Sequence, residues 1–123
     1  MSGSASRARG NRAELEVQHA LERAGWRAMT SRAARGGTQA GGDLITDFPA
    51  VLEVKDHARL DLPGFWRQAV EQAGDDIPGL IVKRRGHARA EDWWYVSDVS
   101  TQIRLIRELQ KAALHDRLSS SKE

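Results

Sequence analysis

The chain has 123 residues, of which 40% are hydrophobic and 29% charged, with a formal net charge of +2 and no cysteine. A domain of that size buries roughly two-thirds of its unfolded surface, enough for one core without staples. The absence of thiols excludes disulfides and thiolate metal sites, so any metal is held by oxygen or imidazole, the preference of hard ions such as Mg²⁺ or Mn²⁺.

Residues 1–10 (MSGSASRARG) read as a flexible basic arm with no apolar stretch of the kind a secretory signal needs. A helix is expected from Asn11. Asn11 and Glu14 have capping-box spacing, Ala13, Val17, Ala20, Leu21 and Ala24 recur at helical period, and Gly25 ends the run as a C′ residue. Trp26 to Met29 reads as a short strand. The glycine-rich basic stretch from Ser31 to Gly42 has little to bury and reads as a mobile loop. Two β runs follow, DLITDF and AVLEVK, and the turn at Phe48-Pro49-Ala50 suggests a hairpin.

A loop then leads to a second helix around Gly64 to Ala73, a buried strand in GLIVKRR and an aromatic strand in DWWYVS. Trp93 and Trp94 are adjacent, so alternation sends one to the core. The other faces a helix, a second subunit or a DNA base. Ser97 or Ser100 is the expected cap of a last helix carrying Ile103, Ile106 and Leu109. The end, 119–123, is expected to fray. The order is α-β-β-β-α-β-β-α, an α/β domain over 11–118 with a mixed sheet and flanking helices. No apolar run approaches the roughly 20 residues needed to cross a bilayer, so a cytoplasmic location is expected.

The chemistry sits in GGD at 41–43 and LEVK at 52–55. Residues two apart on a strand share a face, so Glu53 and Lys55 point together while Leu52 and Val54 face the opposite layer. A charged pair within an apolar strand demands a reason, because an unpartnered charge is costly to bury. The hairpin would set Asp43 beside them. Two carboxylates and a lysine suit metal-assisted phosphodiester hydrolysis: the carboxylates hold one or two Mg²⁺, and lysine stabilises developing charge or positions the nucleophile. An exposed edge strand carrying a plain ion pair is the alternative.

The ordered set GNRAELEVQHALERAG, GGDLI, LEVKD, FWRQAVEQA and LIVKR resembles the PD-(D/E)XK nuclease superfamily over about residues 10 to 97, with most likeness to archaeal-type Holliday junction resolvases and their phage relatives. Gly42 stands where the motif name has proline. The resemblance implies a restriction-endonuclease-like central mixed sheet and a Mg²⁺-dependent endodeoxyribonuclease, with Mn²⁺ substituting. It further implies a homodimer on four-way or other branched DNA, located in the host cytoplasm if phage-encoded. Linear, nicked or flapped DNA, or a non-catalytic DNA-binding role, are the rival readings.

The resemblance makes Asp43, Glu53 and Glu14 the metal-site carboxylates, with Lys55 as the fourth catalytic member. Helical periodicity does not separate Glu14 from Glu16, and Glu14 has a competing role as the capping-box partner of Asn11. Candidate DNA contacts are Ser31, Arg32 and Arg35 in the loop, Gln68 on the second helix and Lys83 after the buried strand. Each also has a plain solvent-exposed reading. Of the four histidines, only His57 falls near the site in the sequence.

Overall fold

The structure is a computed structural model that describes residues 3–30, 33 and 44–120. It is a mixed α/β arrangement, and among the described residues its elements run α1 (Gly3–Arg23), β1 (Ala28–Thr30), β2 (Leu44–Thr46), β3 (Val51–Lys55), α2 (Leu62–Ala73), β4 (Pro78–Val82), a 3₁₀ turn (Ala90–Asp92), β5 (Trp94–Val96) and α3 (Val99–Ser120). No described helix is long and apolar enough to cross a membrane.

α1 begins well before Asn11, so residues 3–10 are helical where an arm was expected. Alanine and arginine in that stretch are good helix formers, and extending an existing helix costs far less than nucleating one. This placement removes the capping-box role of Asn11, which now lies inside the helix. Ala13 and Val17 are the buried stripe of α1. Its C-terminus is a Schellman closure, with Trp26 N–H donating to Leu21 O at 2.9 Å and Gly25 N–H to Glu22 O at 3.0 Å.

The expected hairpin between the two β runs does not form. β2 pairs antiparallel with β1, Met29 opposite Ile45, while β3 pairs parallel with β4. Among the described residues the strands form two small sheets, β1-β2 and β3-β4-β5, the second of them mixed. The reason lies in the turn. Thr46 Oγ1 accepts from Phe48 N–H at 3.1 Å and donates to Arg27 O at 2.7 Å. Asp47 N–H also bonds Arg27 O, at 3.3 Å, so β2 is tied back to β1. Pro49 has no N–H to offer a ladder. Val51 N–H bonds Ile77 O at 2.7 Å and enters the second sheet directly.

β3 and β4 lie between two layers. On one side, Leu52 and Val54 pack with Ala13, Val17, Ala50, Ile77, Trp93 and Leu105, joining α1 and α3 to the sheet. On the other side, Leu80 and Val82 meet Phe65 and Ala69 of α2. The alternation expected for β3 is therefore present, with Leu52 only 1% exposed. α2 starts at Asp61, whose carboxylate accepts from Gly64 N–H at 3.1 Å. α3 is capped by Asp98 rather than by either serine. Asp98 Oδ1 accepts from Thr101 N–H at 2.9 Å and Ser100 Oγ at 3.2 Å, and these bonds hold its carboxyl below the usual range. A carboxylate satisfies the orphan amides and also complements the helix dipole, so it outcompetes a hydroxyl. The helix continues to Ser120, beyond the expected boundary at 118.

Candidate functional site at the ends of two parallel strands

In an open sheet, the carboxyl ends of parallel strands are where ligands collect, because the connections diverge there and leave a crevice. β3 and β4 form such a pair in this chain, connected through α2. Lys83 N–H donates to Lys55 O at 3.0 Å, extending the ladder one residue past the end of β4. The residues at this end, Glu53-x-Lys55-Asp56-His57 and Lys83-Arg84-Arg85, are rich in charge.

Glu53 and Lys55 stand on the α2 side of β3. Their charged ends are 3.4 Å apart and each side chain is 18% exposed. Lys55 Nζ also lies 5.6 Å from the centre of the Phe65 ring. The pair is therefore partly desolvated yet open to solvent, which strengthens its electrostatics without sealing it off. Asp56, one residue on, is 15% exposed and lies 3.6 Å from Lys83 Nζ. Lys83 in turn sits 5.6 Å over Trp93.

Past this pair opens a groove of about 300 Å³, lined on its polar side by His57, Lys83, Arg84, Arg85 and His87 and bounded by Trp94. Its floor is a tight turn. His87 N–H donates to Arg84 O at 3.2 Å, and Gly86 takes φ 82, a value that side chains with a Cβ rarely adopt. Two further bonds pin the turn to the 3₁₀ segment: Arg84 Nη1 to Asp92 O at 2.9 Å and Trp93 Nε1 to His87 O at 2.7 Å.

The remaining expected site residues divide. Glu14 is half-buried and lines a separate groove with Arg7, Asn11, Arg12, Leu15 and Thr30. Glu16 instead acts electrostatically on Arg23, which forms a two-pronged pair with Glu91 at 2.6 and 2.8 Å. The two helical glutamates thus serve different surroundings, and Glu14 is the one that shares a groove with Thr30 at the end of β1. Gln68 is exposed on α2. Asp43, Ser31, Arg32 and Arg35 lie outside the described residues. Among the described residues, no three histidines or acids come close enough to share a metal ion.

Sequence reasoning missed Asp56, Arg84, Arg85 and His87, and left open which of Trp93 and Trp94 is exposed. Their signal was a run of cations and a glycine, KRRGH, directly after a buried strand; position at a strand's carboxyl end gives it meaning. No protein family, characterised protein or solved structure matches the chain.

Proposed function

We propose that the chain is a metal-dependent endodeoxyribonuclease of the PD-(D/E)XK kind, with Glu53 and Lys55 at its centre. The observation that carries this reading is the Glu53–Lys55 pair, on one face of a strand, 3.4 Å apart, at the open end of a parallel β3–β4 unit. Support comes from the cationic groove beside it, whose lysine and arginines suit the phosphates of a nucleic-acid backbone. On this reading the two sheets are halves of a restriction-endonuclease-like core, and the protein works as a dimer on branched DNA, because two cuts across a four-way junction need two sites related by a two-fold axis.

The donors fit a hard cation. Glu53 offers carboxylate oxygen at a partly solvated position, and Mg²⁺ commonly uses one or two carboxylates while keeping several waters. Glu53 would hold it together with Asp43; the ion, when bound, would polarise the phosphodiester and lower the pKa of a water. Lys55 orients the incoming water or balances the charge that accumulates on the non-bridging oxygens as water adds to phosphorus and the bridging P–O bond breaks. Lys83 pairs with Asp56, and Lys55 is the cation beside Glu53.

Cleavage of a synthetic four-way junction in Mg²⁺, compared with flap and linear duplex, tests the assignment. Cleavage is expected to vanish in Asp43→Ala and Lys55→Ala and in excess EDTA, while junction binding persists. Undiminished cleavage by either variant overturns the catalytic assignment, and equal rates on linear duplex overturn the junction preference.

A further inference from the structure

We propose that the groove bounded by His57, the turn after β4 and β5 is a subsite for one unpaired DNA nucleotide, with Trp94 as its base platform. The inference rests on the nucleic-acid reading above but not on catalysis. Trp93 and Trp94 are neighbours in sequence with opposite fates. Trp93 is 7% exposed and its Nε1 is satisfied by His87 O, whereas Trp94 keeps 52% of its surface open. A core does not require that second indole, and water is a poor environment for so large an apolar ring.

The platform is built in advance. The Arg84 guanidinium lies 4.1 Å from the Trp94 ring centre, within cation–π range. That guanidinium is fixed by its bond to Asp92 O at 2.9 Å. One side of the indole is thus braced by a held cation, and the exposed part offers a π-surface on which a base can stack. Around it, Lys83 and Arg85 with the imidazoles of His57 and His87 supply the donors that a flanking phosphate needs. Asp56, the nearby acid, is already engaged by Lys83.

An aromatic face beside a cationic track is how single strands are held, since every base has a π-face and only an unstacked base can reach one. Bases in an intact duplex are stacked on each other, so the platform selects for unpaired nucleotides. His57 lines the groove, and its ring centre is 5.0 Å from that of Phe65, the ring over which Lys55 Nζ sits at 5.6 Å. Through Phe65 the subsite adjoins the Glu53–Lys55 pair, and a strand crossing that pair leads its neighbouring nucleotide into the groove.

The test uses the full chain in EDTA, so that no cleavage intervenes, with fluorescein-labelled octathymidylate and a duplex of equal length read by anisotropy. Trp94→Ala is expected to weaken octathymidylate roughly tenfold and duplex by no more than about twofold. Trp94→Phe retains most of the affinity but loses the quenching of indole emission that octathymidylate causes in the unaltered protein. Arg85→Gln weakens both ligands and lowers the salt slope by about one. Unchanged octathymidylate binding by Trp94→Ala overturns the subsite. So does an equal loss for both ligands, or quenching that survives in Trp94→Phe. Quenching that depends on Trp94 in a protein that never cleaves DNA would keep the subsite and overturn the nuclease reading; the converse pattern would do the reverse.

Discussion

Replacing Lys55 by methionine separates chemistry from stability, because the structure assigns different magnitudes to the two. Methionine keeps the apolar stem against Phe65 and deletes only the charge. At the 3.4 Å separation from Glu53, Coulomb attraction is about 5 kcal/mol at an effective dielectric near 20 and about 1 kcal/mol in bulk water. Each side chain is 18% exposed, so the stronger figure is partly realised but largely offset by the desolvation of both ions. The contact of Nζ with the Phe65 ring adds about 0.5–1 kcal/mol. The net cost of Lys55→Met to folding is therefore about 1–2 kcal/mol, a fall in Tm of roughly 4–12 °C. Losing a donor to transition-state charge costs about 2.7–4 kcal/mol, or roughly 10²–10³ in rate. A domain with the ordinary stability of about 5–15 kcal/mol stays folded at 25 °C through the first loss, so unfolding does not account for the second. Single-turnover cleavage of a labelled junction, alongside thermal unfolding of the same preparation, reads both. A folded Lys55→Met protein that cleaves within about threefold of the unaltered chain, against the roughly 10²–10³ loss expected, refutes the role given to Lys55.

Three further outcomes follow from the packing. Arg23 holds the Glu91 carboxyl down to about 2 from an ordinary value of 4.5, so this pair's stabilisation is complete above pH 4.5 and fades as pH falls toward 2. Glu91→Gln should flatten that acid limb of Tm against pH, and an unaltered limb counts against the pair. Gly79→Ala would drive a Cβ into Tyr95 Oη and to 2.8 Å from Leu52 Cδ2, costing about 1–3 kcal/mol. Tyr95→Phe in that background should recover part of it, and additive effects of the two substitutions in urea unfolding would dismiss the clash. Burial already pushes the Tyr95 phenol up to about 12, so it enters this comparison uncharged at neutral pH. Asp61→Ala removes the amide cap of α2 and should lower the urea midpoint by an amount worth about 1 kcal/mol at constant m; an unmoved midpoint would show the cap to be redundant.

Features that depend on neighbours along the chain were open to sequence reasoning. The buried stripe of Ala13 and Val17, the Schellman closure at Gly25 and the helix around Phe65 follow from spacing and cap chemistry within a few residues. So does the division of β3, because a strand must turn Glu53 and Lys55 one way and Leu52 and Val54 the other. The local rules misplaced the start of α1, where propagation carried the helix through residues with no periodic signal, and the cap of α3, where three acceptors competed within four positions.

What the tertiary structure alone decided was partnership. β2 and β3 looked like a hairpin because they are adjacent in sequence, but a strand pairs by non-local register. Thr46 and Asp47 spend their hydrogen bonds on Arg27 while Val51 takes Ile77. The same long-range pairing set β3 parallel to β4 and brought Asp56 to Lys83 and His57 to His87's side of one groove. Alternation foretold that Trp93 and Trp94 would part, yet only the fold chose which one stays in water. Chemistry within one strand is legible from spacing; chemistry shared between strands waits on which edges find each other.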